Sequence, residues 1–193
     1  MCQRGEMRLD QVLTRAEGLA LAQELSMRRW RGPIEVWGVH QERGGGIWQF
    51  VFALDEASCS WSLQREGGSE QWFENGVLHS VDGPIELPFE RSLPPAICMA
   101  VPERMRWWGR ERESFTPVLV QPVGEHSLLV TFEHVEDSAF RTTLVVDERD
   151  WIARRRIDFG EVTVITEVRR VVRWAKLPRP SFSPLTGPIA TVY

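Results

Sequence analysis

From Ile34 onward the chain alternates apolar and polar residues in run after run, and the runs are separated by turns of only a few residues. Alternation with a period of two sends successive side chains to opposite faces of a β-strand. Turns this short can join only antiparallel neighbours, because a parallel crossover needs a dozen residues or more. A doubly wound parallel sheet is therefore excluded, and the chain is confined to an antiparallel meander.

The runs are explicit. Residues 34–42 alternate, Gly44-Gly45-Gly46 turns the chain, and 47–55 place Trp48, Phe50, Phe52 and Leu54 on one face. Cys59, Trp61 and Leu63 share a face of the next predicted strand, Gly67-Gly68 marks a turn, and Asn75-Gly76 is the strongest short hairpin signal in the sequence. Residues 117–123, 127–134, 140–146, 152–159 and 162–174 read as later strands. Leu128, Val130 and Phe132 line one side of the second of these, and Val162, Val164, Thr166, Val168, Arg170, Val172 and Trp174 form a stripe in the last.

Before the strands, Leu9, Val12, Leu13, Ala16, Leu19, Ala20 and Leu25 recur at spacings of mostly three and four. This predicts an amphipathic helix over 9–30, stopped by Gly32-Pro33, with Arg28, Arg29 and Arg31 suited to its C-terminal dipole. Pro84 to Pro95 interrupts the strand pattern, and 96–108 read as a short helix with Pro102 at a first turn or a kink. The tail from Leu177 carries Pro178, Pro180, Pro184 and Pro188, which exclude regular structure. The expected organisation is one domain over 1–176 followed by a Pro-rich tail over 177–193 that lies along a sheet edge or extends as a linker or partner motif. The expected fold is α+β, mainly antiparallel: a curled, half-open barrel of about nine or ten strands with the N-terminal helix packed on its concave face.

Composition narrows the function. The chain has 193 residues, a formal charge of −4, nine Trp, nine Phe and a single Tyr, Tyr193. The overall charge lacks the footprint of nonspecific nucleic-acid or anionic-membrane binding, and no specific nucleic acid is predicted as a partner. Residues 149–176 are locally basic, but alternation sends Arg154 and Arg156 to the face opposite Arg155. Cys2, Cys59 and Cys98 stand far apart without a CxxC, so neither a disulfide framework nor a thiolate metal site is expected. The first eighteen residues carry charges every few positions, so no secretory leader is read there and the chain is expected to be cytoplasmic; no run reaches the length of a membrane span.

The order of elements resembles a known fold. A long helix, hairpins ending in Trp72-Phe73-Glu74-Asn75-Gly76, a helical interruption, Leu144-Val145-Val146-Asp147, and Ile157-Asp158-Phe159-Gly160-Glu161-Val162-Thr163 together look like the bacterial LolA-like lipoprotein-carrier fold. That group includes the lipoprotein localisation factors, the mycobacterial LppX and LprG lipid carriers and the sensor domain of RseB. The resemblance implies an apolar cavity between a half-open barrel and a helical lid, occupied by a lipid or acyl chain.

On that reading the ligand-binding candidates are the concave-face stripes: Trp48, Phe50 and Phe52, then Trp61 and Leu63, then Leu128, Val130 and Phe132. Trp107 and Trp108, adjacent in a segment between strands, are further candidates for a ligand or partner contact. Catalytic machinery is not nominated, since GxSxG is absent and Glu103, Glu111 and Glu113 beside the tryptophans read as a solvated charged loop. His126 and His134 sit eight residues apart on one strand and cannot share a metal, so neither a metal nor a cofactor is expected. The leading expectation is a non-enzymatic binding protein for a lipid, acyl chain or other hydrophobic molecule. Two alternatives stand beside it: an interaction or regulatory module with a filled core, presenting Trp107-Trp108 or the tail to a protein, and an enzyme on a hydrophobic substrate.

Overall fold

The computed structural model describes residues 11–68, 70–173, 175–176 and 182. The chain runs through β1 (Gln11–Val12), α1 (Arg15–Arg28), β2 (Ile34–Gln41), β3 (Ile47–Asp55), β4 (Ser60–Arg65), β5 (Gln71–Glu74), β6 (Val77–Ser80) and β7 (Gly83–Glu86). The short helices α2 (Phe89–Ser92) and α3 (Pro95–Cys98) and a 3-10 turn at Pro102–Arg104 follow, and then β8 (Phe115–Pro122), β9 (Ser127–His134), β10 (Arg141–Asp147), β11 (Ile152–Asp158) and β12 (Glu161–Arg170).

The strands form one antiparallel sheet in the order β1-β8-β9-β10-β11-β12-β2-β3-β4-β5-β6-β7. Two meanders, β2 to β7 and β8 to β12, are joined where β12 pairs with β2, with Thr163 opposite His40 and Val168 opposite Val36. The expected curled, unclosed α+β sheet is what forms. The count is higher than expected because β1 is only two residues long and because β7 accommodates Pro84 on the sheet edge, where a missing amide donor is tolerated. Asn75 and Gly76 both take positive φ in a two-residue turn, as their sequence demands.

The N-terminal helix is shorter than expected and shows a different face. Thr14 caps it: its hydroxyl accepts from the Glu17 amide, and the Glu17 carboxylate accepts from the Thr14 amide at 2.8 Å. Gln11–Val12 form β1 and Leu13 links it to the helix, while Leu9 lies outside the described residues. The buried face is Gly18, Leu21, Ala22 and Leu25, whereas Val12, Ala16, Leu19 and Ala20 face solvent. Gly18 sets this rotation, because a Cβ there would lie 2.2 Å from Pro117 Cγ of β8, and only glycine permits so close an approach. Arg29, read as a dipole partner, is instead buried.

The last strand also departs from its expected stripe. Thr163 and Ile165 face the core, and a bulge between Ile165 and Glu167 then returns Val168 to that side. Val162 and Val164 therefore lie on the outer face, the strand ends at Arg170, and Val172 is fully exposed. Cys59 is likewise not in a strand; it sits exposed in a turn at φ 49°.

The 96–108 helix does not form. Pro102 starts a separate 3-10 turn, and the 89–108 segment is an irregular plug packed on the concave face. Phe89, Ile97, Met99, Val101, Met105 and Trp108 are buried in one cluster with Phe52, Trp61 and Phe132. Two contacts stitch it to the sheet, the Ala153 amide donating to Met99 O at 2.8 Å and Trp61 Nε1 to Ser92 Oγ at 2.9 Å, and Trp108 Nε1 donates to Pro102 O at 2.8 Å within it. The expected tail over 177–193 lies outside the described residues except for Phe182.

Candidate functional site

Register places one row of side chains across the concave wall. Leu144 of β10 stands opposite Arg156 of β11, Arg156 opposite Thr163 of β12, Thr163 opposite His40 of β2, and His40 opposite Trp48 of β3. Leu144 continues into Val130 of β9. The row thus starts apolar and turns polar at Arg156, and the plug covers only its apolar part. Gly38, one pair further along, lets the Phe50 ring lie flat on the sheet, since a Cβ there would be 2.2 Å from Phe50 Cζ.

Above the polar part opens a cleft of about 880 Å³. Its floor is His40, Thr163, Arg156, Trp48 and Leu63; its walls are the β2–β3 and β4–β5 turns and, from the plug, Pro94, Pro95 and Ala96. His40 Nδ1 lies 2.9 Å from the Thr163 hydroxyl, and burial pushes its pKa below the usual imidazole value, favouring the neutral ring. The Trp48 indole N–H donates to Glu42 at 2.9 Å, and the Arg65 guanidinium lies 3.8 Å over the same ring. The side chain of Arg156 is only 9% exposed; its Nη2 is 3.6 Å from Glu161 Oε2, and its Nε, shut off from solvent, has no hydrogen-bond partner among the described residues.

Of the residues nominated from sequence, Trp48 and Leu63 line this cleft. Phe50, Phe52, Trp61, Leu128, Val130 and Phe132 are on the expected concave face and pack against the plug. Trp107 and Trp108 part company. Trp108 is fully buried, edge-on to Phe132 at 5.0 Å, and is not presented to solvent. Trp107 is half-buried and lines a second recess of about 520 Å³ with Cys98, Met105 and Arg156, so that Arg156 stands between the two openings. In the α3 turn, burial drives the Cys98 thiol up to about 12. Glu103 is not in a solvated loop: it is buried on Arg29, and Glu113 accepts from the Trp108 and Arg110 amides.

A second feature escaped the sequence. Phe115, His134, Phe140 and Phe159 form a chain of ring contacts 5.1 to 6.4 Å apart around a surface groove of about 760 Å³. Phe140 and Phe159 are each about half exposed. Phe159 occupies a position of the β11–β12 turn at φ 47°, where asparagine or glycine is the relaxed choice. Basic residues of the late strands are dispersed: Arg149 and Arg154 hold Asp147, Arg154 also holds Asp150, and Arg170 lies over Trp30. Among the described residues no group of three or more His, Cys, Asp or Glu is placed to hold a metal ion, and no helix is long and apolar enough to cross a membrane.

No family model matches the sequence, and no curated protein does. Solved structures do match in shape. A conserved protein of Thermus thermophilus aligns at 9% identity and TM-score 0.51 over 82% of this chain and 90% of its own. A chain of the Pseudomonas aeruginosa MucA/MucB complex aligns at 12% identity and TM-score 0.54, over 82% of this chain but only 59% of that one. A LolA superfamily protein of Nitrosomonas europaea aligns more loosely, at 12% identity and TM-score 0.36 over 86% and 96% of the two chains. At these identities the likeness is one of fold, and with the RseB-like MucB among the matches, the sheet, its helix and its plug are a LolA-like fold.

Proposed function

We propose that the chain is a non-enzymatic binding protein that takes an amphiphilic small molecule, an acyl chain or lipid, in the cleft beside the plug. The observation that carries this reading is the cleft itself. About 880 Å³ is the size of an ordinary small-molecule site, and it pairs an apolar stretch, Trp48, Leu63, Pro94 and Pro95, with a few convergent polar groups. The deeper rings, from Phe50 to Phe132, serve as a filled scaffold behind it. Titration with a dansylated undecanoic acid tests the reading. Saturable binding is expected, weakened about tenfold by Trp48→Ala and by Leu63→Ser in variants that keep their circular dichroism. Binding that is absent, or that both variants retain at full strength, removes it.

One observation favours a second reading, an interaction module. The groove of Phe115, His134, Phe140 and Phe159 exposes aromatic area that is enriched at protein interfaces, and it keeps Phe159 in a strained backbone conformation. MucB is known in complex with MucA, which speaks for that protein. For this chain, Phe159→Asn is expected to raise the melting temperature while lowering partner capture by photo-cross-linking in cells. Unchanged cross-linking excludes the groove.

A further inference from the structure

We infer that Arg156 is the head-group anchor of the cleft: its guanidinium receives the carboxylate or phosphate of an anionic amphiphile whose chain runs along Trp48 and Leu63 toward Pro94 and Pro95. This rests on the binding reading above and specifies its ligand class.

The placement of Arg156 makes the case. A cation is costly to bury unless it is paired and hydrogen-bonded. Arg29 meets that requirement, with two carboxylates at 2.6 and 2.8 Å. Arg156 does not. Its nearest carboxylate oxygen, on Glu161, stands at 3.6 Å, beyond hydrogen-bond reach, and that same oxygen is 3.9 Å from His40 Nε2. Asp158 also acts on it electrostatically, from beyond ion-pair distance. The Trp107 ring lies 6.0 Å away on the other side, a weak contact. Thus a buried, always-charged group with an unpartnered Nε lines an open cleft.

The neighbours fit the same ligand. Thr163 and then His40 follow Arg156 along the row and add a hydroxyl and a ring nitrogen to the cleft floor. Beyond them the row ends on Trp48, with Leu63 nearby. A planar guanidinium presents parallel N–H donors to the two oxygens of a carboxylate or phosphate, and such bonds are roughly twice as strong as neutral ones. The cleft therefore distinguishes an acid from an uncharged chain of the same length.

The test compares dodecanoate, dodecyl phosphate and neutral dodecanol by calorimetry at pH 8 with the full chain, its Arg156→Gln variant and its Arg156→Lys variant. Wild type is expected to bind at least one of the two anions about tenfold more tightly than dodecanol. Which anion is preferred identifies the head group. Arg156→Gln should bring the anions down to the affinity that the same variant shows for dodecanol, and Arg156→Lys should keep part of the preference. Equal binding of anions and dodecanol by wild type, or a preference that survives Arg156→Gln, overturns the anchor while leaving the binding reading intact. Failure of all three probes to bind removes the binding reading and the anchor with it. Should Arg156→Gln not fold, the wild-type comparison and Arg156→Lys still decide the matter.

Discussion

Arg29 grips Glu103 with two parallel hydrogen bonds, Nε to Oε2 at 3.1 Å and Nη2 to Oε1 at 2.8 Å. The first residue lies just past the C-terminus of α1 and the second in the plug's 3-10 turn, and Arg29 Nη1 also reaches Glu56 in the β3–β4 turn at 2.6 Å. Helix, plug and sheet meet at one guanidinium. Arg29→Met strands Glu103 in a nearly dry site and leaves Glu56 only Arg104, at 3.5 Å, and is expected to cost about 3–5 kcal/mol in urea unfolding. Adding Glu103→Leu should recover part of that loss; an Arg29→Met protein as stable as wild type would mean the network is not what ties the plug down.

The plug's deepest side chain sets a second expectation. Trp108 is fully buried, with its indole N–H satisfied by Pro102, so Trp108→Ala leaves a large void and takes from the Pro102 carbonyl one of its two donors, the Met105 amide remaining. The expected loss is about 3–5 kcal/mol by denaturant unfolding. Trp107→Ala, at a half-buried ring, should cost clearly less, and the reverse order would show the two tryptophans misassigned.

Thiol chemistry reports on whether the plug stays shut. In a Cys2→Ser background Cys59, exposed in its turn, should react promptly with a disulfide reagent, while Cys98, partly buried beside the second recess with its thiol pKa pushed up to about 12, should react far more slowly. Fast labelling of both in native buffer would mean that the α3 turn opens readily.

Acid should weaken the β10–β11 hairpin through Asp147. The Arg149 side chain and then its amide hold this carboxyl at a pKa of about 2 in the fold, against 3.8 ordinarily. A group with a depressed folded pKa stabilises above its unfolded pKa and ceases to do so as pH falls through the folded one. Wild type should therefore exceed Asp147→Asn by about 1–2 kcal/mol above pH 4, discounted for the exposed Arg149, and the gap should close toward pH 2. A gap independent of pH over that range excludes Asp147 as the source.

What sequence could reveal follows from the range of the interactions involved. Trp48, Phe50 and Phe52, like Leu128, Val130 and Phe132, alternate within a strand, so their shared face is legible locally. The face of α1 is not, because it is fixed by Gly18 against Pro117, a residue nearly a hundred positions away that adds nothing apolar to the helix pattern. The plug has no period at all: Ile97, Met99, Val101, Met105 and Trp108 are buried by an irregular path. Nor can the row from Arg156 through Thr163 and His40 to Trp48 be read in advance. It exists only once three separate strand pairings and their registers are fixed, and Arg156 in sequence is one of three consecutive arginines.

An open sheet carries the hazard of recruiting copies of itself, since each unpaired edge offers backbone groups to any passing strand. Here one end is a strand of two residues and the other a strand of four that opens with Gly83-Pro84. Among the described residues each terminal strand is itself a short ladder, and Pro84 withholds a donor from one of them. Short terminal strands let a barrel stay unclosed, its mouth accessible, while offering a passing strand little to pair with.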